Sequence, residues 1–253
     1  GETAQEVWDI CNDKLRGEKI SARSLIRQSN VTLLCTTDDP ADDLEWHKQI
    51  AEDKTFDVQV LPAWRPEAAM KIAAPGFASY IERLGRAADM AITTFEDMKA
   101  ALTKRMEFFS GMGCRISDHS LDYAMYVPAS EAETEEIFAK AMAGGEVSYE
   151  EELKYKTAFL LYAGKEYRQS GWAMQLHYGV KRDNNNKVYR SLGADAGIDC
   201  INNHRPSAQL ADLLDALNEA DALPRTILYS LNPSDNAVIG TVIGCFQNGE
   251  CAG

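Results

Sequence analysis

The chain has 253 residues, of which 45% are hydrophobic and 26% are charged, a composition typical of a globular protein with one substantial core. With 39 acidic residues against 26 basic ones, its formal net charge is -13, which argues against a nucleic-acid partner or an anionic membrane surface. No signal peptide is recognised, and no apolar stretch approaches the roughly 20 residues that a membrane span needs. We therefore expect a soluble, cytoplasmic protein with neither kind of partner.

The cysteines are scattered through the chain and form neither a C-x-x-C pair nor the spacing of a zinc ribbon. This pattern is typical of reduced thiols in the cytosol. They are Cys11, Cys35, Cys114, Cys200, Cys245 and Cys251.

The first part of the chain has helical patterns. Apolar residues recur at helical spacing over residues 3–29, with a break at Gly17 and a second helix that begins at Ser21. The strands all follow this region. We therefore predict a helical segment over residues 1–30 and a larger domain over residues 31–253.

Polar clusters follow the first two predicted strands. Val31–Cys35 runs into TTDDP, where Asp38 is either a site residue or the N-cap of the next helix. Phe56–Leu61 runs into PAWRP. Arg65 stands there between Trp64 and a proline, so its planar fork has limited freedom and suits bidentate binding of a carboxylate. The alternative is a surface arginine that stacks on the neighbouring indole.

A third strand carries two adjacent polar residues. Helical patterns cover residues 77–85 and 94–111, and the next strand begins near Ile116 and contains Asp118 and His119. Adjacent strand residues point to opposite faces, so only one of these two faces a central site. We expect His119 to be that residue.

A fourth strand begins at Trp172, after two further helical patterns over residues 129–145 and 149–169, and ends at His177. The basic, amide-rich loop behind it, which contains Asn184 and Asn185, suits a polyanion or polyol ligand. The alternative is a core histidine followed by asparagines that cap a helix or form turns.

The last predicted elements are a helix over Ser207–Glu219 and a strand over Arg225–Leu231. Five short strands thus alternate with helices, and each ends in a polar cluster, which is typical of a (β/α) barrel with its site at the carboxyl ends of the strands. We predict an α/β fold, an incomplete (β/α)8 TIM-type barrel of about five parallel strands with helices, preceded by the helical segment. A doubly wound open sheet competes, but no G-x-G-x-x-G or Walker A motif accompanies any strand.

Ordered motifs along essentially the whole chain resemble the uronate isomerase family, also called glucuronate isomerase, of the amidohydrolase superfamily. They are TTDDP (36–40), LPAWRP (61–66), ALTKR (101–105), SDHSLD (117–122), RDNNN (182–186), LGADAGID (192–199) and TILYSLNPSDN (226–236). The resemblance implies a distorted (β/α)8 barrel that interconverts D-glucuronate with D-fructuronate and D-galacturonate with D-tagaturonate. Its partner would be a small-molecule hexuronate.

The same resemblance implies a divalent metal, commonly zinc, held by a His-x-His pair on the first barrel strand and an aspartate on the last. No His-x-His occurs here, because His47, His119, His177 and His204 are all isolated. The resemblance therefore implies an internal segment with strands two to six. We expect this segment to bind no metal by itself and to lack most of the catalytic groups.

The resemblance also implies substrate contacts. Arg65 matches the strand-end arginine that holds the carboxylate of the sugar acid, and His177 and His119 match histidines that face the same cavity. The aspartate and the asparagines of the matching loops would hydrogen-bond hydroxyl groups. The predicted substrate-binding residues are Arg65, Trp64, His177, His119, Asp38, Asn184 and Asn185.

Two further expectations concern partners and alternatives. Five strands of an eight-stranded barrel leave two exposed edges, so we expect a homo-oligomer that forms through those edges, or ends that rearrange to cover them. The alternative function is a non-catalytic sugar-acid-binding or assembly protein that keeps Arg65. Metal-dependent hydrolysis is less favoured, because the WRP and NPSDN motifs resemble the isomerase branch.

Overall fold

A computed structural model describes residues 3–17, 20–204 and 207–247. Cys251 and the two ends of the predicted domains, Gly1 and Gly253, lie outside the described residues. The chain packs into two compact units. The first comprises Gly1–Thr36 and Leu44–Pro62, and the second comprises Thr37–Asp43 and Ala63–Gly253.

The first unit combines helices with a pair of parallel strands. Its elements are α1 (Ala4–Arg16), α2 (Ala22–Gln28), β1 (Leu33–Cys35), α3 (Glu45–Glu52) and β2 (Gln59–Leu61). A capping box formed by Thr3 and Glu6 begins α1, and the Ser21 side chain caps α2. β1 and β2 run parallel, with Leu34 opposite Val60. The two predicted helices and the first two predicted strands are confirmed, although both strands are shorter than expected.

The second unit alternates helices with strands. Its elements in chain order are α4 (Glu67–Met70), α5 (Phe77–Ala88), α6 (Phe95–Gly111), β3 (Ile116–Ser120), α7 (Glu131–Met142), α8 (Tyr149–Ser170), β4 (Ala173–Tyr178), β5 (Val180–Lys181), α9 (Asn186–Leu192), β6 (Cys200–Ile201), α10 (Ser207–Glu219), β7 (Arg225–Ser230), a 3-10 helix (Pro233–Asp235) and α11 (Asn236–Cys245). The α9 and α11 helices and the short antiparallel β5–β6 pair were not predicted from the sequence.

A parallel sheet in the order β3-β4-β7 organises the second unit. On its β3 side, parallel bridges join Ser117 to Trp64 and Trp64 to Asp38. Strand residues that lie directly opposite each other point to the same face, so the register places Ser120, His177 and Tyr229 side by side. The predicted α/β class with parallel strands is confirmed.

One face of this sheet packs against helices. Along β4 the residues Met174, Leu176 and Tyr178 are buried, whereas their alternate neighbours are partly exposed. The buried layer continues into aromatic contacts, with Trp172 stacked on Tyr167 of α8 at a ring-centroid distance of 5.9 Å. The other face carries Asp118, Gln175 and His177, whereas Ser117 and His119 lie with the buried layer.

Capping residues fix where the long helices of this unit begin. At α6 the Thr94 side chain accepts the backbone N–H of Asp97, and the Asp97 carboxylate accepts that of Thr94. Ser148 and Glu151 do the same at α8, a helix of 22 residues. These reciprocal hydrogen bonds satisfy backbone donors that have no partner within the helix. The helices predicted over residues 94–111 and 149–169 are confirmed.

Gly179 ends the fourth strand. Its φ is +84°, and a Cβ atom there would lie 2.8 Å from Oγ of Ser230 in the neighbouring strand. An L residue with a side chain is disfavoured both by the backbone angle and by this close approach. β4 therefore stops just after His177 and Tyr178, and the chain turns away into β5.

Among the described residues, no helix is both long and apolar enough to cross a membrane.

Candidate functional site

Asp118 and His177 meet at the carboxyl ends of β3 and β4. Nδ1 of His177 lies 2.6 Å from Oδ1 of Asp118. The two residues are diagonal neighbours on one face of the sheet, since Ser120 lies directly opposite His177. The His177 side chain is 41% exposed and that of Asp118 is 11% exposed. The imidazole therefore reaches the solvent-accessible face of the sheet, whereas the carboxylate that it contacts is mostly buried.

This contact determines which imidazole nitrogen is available. An ionised carboxylate only accepts hydrogen bonds, so Nδ1 of His177 donates to Asp118. In the neutral ring, Nε2 is then an acceptor. No hydrogen bond to Nε2 forms within residues 3–17, 20–204 and 207–247. The arrangement presents a basic nitrogen to the open face of the sheet.

Arg65 lies beside this pair because its neighbour Trp64 joins the sheet. The backbone N–H of Trp64 donates to Ile116 O at 3.0 Å, and the N–H of Asp118 donates to Trp64 O at 2.8 Å. Arg65 therefore leaves the sheet next to β3. Its Nη1 lies 3.7 Å from Oδ2 of Asp118.

Glu67 orients the guanidinium of Arg65 through a hydrogen bond. Nε of Arg65 donates to Oε2 of Glu67 at 2.5 Å, and Oε1 of Glu67 accepts the backbone N–H of Ser120 at 2.7 Å. Burial disfavours the charge of Arg65, but the carboxylates of Glu67, Asp118 and Asp195 together outweigh it, so the pKa of Arg65 is raised. Burial also raises the pKa of Glu67, against the lowering effect of Arg65. The result is an oriented cation with its Nη edge pointing away from Glu67.

Arg182 is a second cation at the rim, and it was not among the predicted site residues. Its Nη1 contacts Oδ2 of Asp199 at 2.8 Å, and its Nη2 donates to Oγ of Ser120 at 3.0 Å. The basic composition of the loop after β4 was the available sequence signal. The contact to β3 could not be read from that loop, because it depends on long-range folding.

Two adjacent cavities share Arg65, Ser120, Val180 and Arg182 in their linings. The smaller, of about 320 Å³, is also lined by Asp118 and His177. The larger, of about 530 Å³, is also lined by Glu67 and Lys156. Both volumes are in the range of small-molecule sites. Arg65 lies between them, which suits a ligand with a single anionic end.

Two predicted site residues face away from these cavities. Trp64 is 1% exposed, and its indole packs edge-on against Phe109 of α6 at a centroid distance of 5.0 Å. His119 is fully buried, and its Nε2 lies 3.0 Å from Oη of Tyr167. Burial, with a smaller effect of Arg65, lowers the pKa of His119 to about 3. The expectation that His119 rather than Asp118 faces the cavity is wrong, because strand alternation turns His119 toward the helices.

The side chains of the remaining predicted residues form hydrogen bonds with backbone groups. The buried Asp38 carboxylate accepts the N–H of Ala63 at 3.2 Å. Nδ2 of Asn184 donates to Lys181 O at 2.6 Å, and Oδ1 of Asn185 caps α9. The asparagines thus match the alternative of turn and cap formation. The structure brings Arg65 and His177 together at the cavity. Asp38 lies beside Arg65 through the backbone, since its carbonyl accepts the Arg65 N–H at 2.9 Å, but neither its side chain nor those of the two asparagines are among the cavity-lining residues.

The described residues do not fit a divalent metal. They contain no group of three or more His, Cys, Asp or Glu side chains arranged to hold one. The one histidine–carboxylate pair at the cavity has the Arg65 guanidinium 3.7 Å from the carboxylate, and this positive charge opposes a second cation. No metal chemistry is assigned to these side chains.

Comparisons with known proteins converge on one family. A sequence model of the family described as glucuronate isomerase matches residues 1–253. The uronate isomerase of Endomicrobium trichonymphae is 59% identical over 248 residues, which cover 98% of this chain and 53% of the relative. That of Lachnoclostridium phytofermentans is 55% identical, with 99% and 54% covered. The chain spans about half the length of the curated relatives it matches.

A solved structure is similar as well. The crystal structure of a uronate isomerase from Thermotoga maritima has a TM-score of 0.87 and 33% sequence identity to this chain. The match covers 95% of this chain and 52% of the other.

Proposed function

Because the chain belongs to the glucuronate isomerase family, we propose that it supplies part of the active site of a uronate isomerase. The proposed reactions interconvert D-glucuronate with D-fructuronate and D-galacturonate with D-tagaturonate. The observation that carries the proposal is the group of Arg65, Asp118 and His177 at the carboxyl ends of parallel strands. In parallel α/β proteins, that end of the sheet carries the site.

Arg65 is the proposed anchor for the carboxylate of the sugar acid. Glu67 occupies Nε of Arg65, whereas no hydrogen bond to Nη1 or Nη2 forms within the described part of the chain. The Nη edge can therefore take a substrate carboxylate, and its charge-assisted hydrogen bonds would orient the open-chain sugar. Trp64 and Asp38 contribute through the backbone pairing that places Arg65.

His177 is the proposed acceptor for a substrate hydroxyl. Aldose–ketose isomerisation moves a proton between carbon 1 and carbon 2, so it needs a base and stabilisation of an enediolate. Nε2 of His177 carries no proton in the neutral tautomer that Asp118 selects, and it faces the cavity, so it can accept a hydrogen bond from a substrate hydroxyl. We propose that His177 accepts a hydrogen bond from a substrate hydroxyl. Stabilisation of the enediolate is proposed for groups outside this chain.

A divalent metal, commonly zinc in the family, would have its ligands elsewhere in a longer polypeptide. The side chains described above do not fit such an ion. The proposed role of this chain is therefore limited to binding and orienting the sugar acid.

The proposed architecture is an incomplete (β/α)8 barrel over residues 31–253, after the helical segment. The sheet supports it, because β7 is an edge within the described residues and its Ile227 and Tyr229 are each 40% exposed. Further strands of a longer polypeptide would pair there, and a homo-oligomer through the same edge is the second possibility. We place the protein in the cytoplasm, which agrees with the free thiols of the described cysteines.

The test measures three properties of the purified chain: zinc content, D-glucuronate binding and isomerisation. We expect no stoichiometric zinc, no turnover by the chain alone, and weak binding that Arg65→Ala reduces about tenfold or more. Arg16→Ala is the matched control, since Arg16 is exposed and forms an ion pair with Asp13 on its own helix.

Each outcome has a definite meaning. Equal binding by the wild type and Arg65→Ala would refute the proposed anchor. Stoichiometric zinc with turnover that requires Arg65 would show that the site is completed by other residues or by association. Binding without turnover, even with added zinc, agrees with the proposal and equally with the non-catalytic sugar-acid-binding alternative. A longer polypeptide that is active would decide between these two.

A further inference from the structure

Tyr229 stacks on the imidazole ring of His177. It lies on β7 directly opposite His177 of β4, and the two rings are stacked with centroids 4.2 Å apart and planes 5° apart. The Asp118 hydrogen bond fixes one nitrogen of His177, but a single hydrogen bond leaves the ring free to tilt. A parallel aromatic ring in contact with the imidazole restricts its tilting out of the plane.

Tyr229 is itself held in place. Its Oη donates to Oε1 of Gln175 at 3.0 Å, and Nε2 of Gln175 donates to Ser117 O at 3.3 Å. Ser117 directly precedes Asp118 on β3, so the contacts run from β3 through β4 to β7 and back. Tyr229 is 40% exposed, and an aromatic side chain so exposed has room to change rotamer. Here the hydrogen bond to Gln175 opposes such a change.

We propose that Tyr229 is a positioning residue that fixes the plane of the His177 imidazole, so that Nδ1 stays on Asp118 and Nε2 faces the cavity. A ring that rotates by 180° about its Cβ–Cγ bond would turn Nδ1 and its proton toward the ligand and leave Asp118 without its donor. Positioning matters because hydrogen-bonding and proton-transfer groups work only in a narrow range of directions. The catalytic meaning of this role rests on the proposed isomerase function, but the ring geometry does not.

The test is the protonation pattern of the His177 ring nitrogens, measured by NMR on 15N-labelled protein at alkaline pH, where imidazoles are neutral. We expect a protonated Nδ1 and a bare Nε2 in the wild type. Tyr229→Phe should keep this pattern, because the phenyl ring retains the stack. Tyr229→Leu should show averaged shifts from a mixture of tautomers. Tyr189→Leu, at an exposed position of α9, is the control that should match the wild type.

If His177 in Tyr229→Leu shows only the Nδ1–H tautomer, the proposal is overturned. It is also overturned if the wild type does not show that tautomer. Loss of the pattern in Tyr229→Phe as well would show that the stack alone does not fix the ring, and would overturn stacking as the sufficient cause. If Tyr229→Leu does not fold, Tyr229→Met removes the flat ring but keeps more of the side-chain length. None of these results depends on turnover, so failure of the proposed isomerase function is seen separately, in the zinc, binding and isomerisation measurements.

Discussion

Nδ1 of His177 lies 2.6 Å from Oδ1 of Asp118, although the two residues are offset by two positions in the register of β3 and β4. The contact forms because both side chains lean along their strands on the same face of the sheet. Arg65 approaches the other oxygen of the same carboxylate at 3.7 Å. Asp118 is thus shared between a histidine and an arginine.

Asp118→Asn should disturb both partners. The amide loses the charge that attracts Arg65 and weakens the hydrogen bond from His177, and we expect the free energy of unfolding to fall by about 1–3 kcal/mol. Urea unfolding at neutral pH measures this change. Asp122→Asn is a suitable control, because Asp122 contributes its backbone oxygen to Gly179 and Asn202 rather than a carboxylate contact. An unchanged unfolding free energy for Asp118→Asn would contradict a structural role of this carboxylate.

Glu67→Gln should weaken D-glucuronate binding less than Arg65→Ala does. The variant keeps the cation but loses the carboxylate that orients its Nε. Freedom of one long side chain costs about 0.5–1.5 kcal/mol of binding free energy, or roughly 2- to 12-fold in affinity. A titration followed by NMR measures both variants under the same conditions. A loss as large as that of Arg65→Ala would show that Glu67 does more than orient the guanidinium.

Arg105→Ala should destabilise the second unit. Arg105 is 9% exposed and donates to three backbone carbonyls, those of Pro40 at 2.8 Å, Asp42 at 2.6 Å and Ala87 at 3.1 Å. Its removal takes one donor away from each of these three carbonyls, and we expect a loss of about 2–4 kcal/mol in unfolding free energy.

Urea unfolding provides the measurement, with Lys104→Ala, at an exposed position of the same helix, as the matched control. Equal stability of the two variants would refute this account of Arg105.

Glu151 should make stability depend on pH in the acid range. Hydrogen bonds from the backbone of Ser148 and from Lys140, with that of the Ser148 side chain, lower the pKa of Glu151 from 4.5 to about 2. Between these values the unfolded state binds more protons than the folded state, so the contribution of Glu151 is complete above pH 4.5 and is lost as the pH falls toward 2.

Glu151→Gln should therefore be less stable than the wild type at neutral pH, and the difference should shrink on acidification. Unfolding midpoints at several pH values measure it, with the exposed Glu107→Gln as control. A difference that does not change with pH would exclude this linkage.

Local sequence patterns predicted much of the secondary structure. The capping residues and apolar spacing of α6 and α8 place these helices. All five strand segments were found: four are short apolar runs before a polar cluster, whereas β3 contains its own polar cluster. The α11 helix was missed, since NPSDN gives a strong turn signal and the apolar run behind it contains two glycines, which disfavour a helix interior, although its valines and isoleucines recur at helical spacing. The β5–β6 pair has only two residues in each strand, too few for a pattern.

Fewer features of the candidate site than of the secondary structure could be predicted from the sequence. Alternation shows that Asp118 and His119 face opposite sides, but it does not show which side carries the helices, and that choice went wrong. For Trp64 the signal existed, because a tryptophan next to a strand-end arginine points to the opposite, apolar face. The pairings of Asp118 with His177 and of His177 with Tyr229 depend on strand order, which no local pattern contains.

The glycine at the end of β4 limits how far the cavity rim can adapt. At Gly179 the backbone already approaches Ser230 so closely that only a hydrogen atom fits between them. A side chain at this position would have to displace the Ser230 hydroxyl and adopt a backbone angle that L residues disfavour, so the contact between β4 and β7 two residues beyond His177 tolerates little change. A ligand of a different width would have to be accommodated by the loops on the opposite side of the cavity. Selectivity for ligand size should therefore evolve in those loops and not at the contact between β4 and β7.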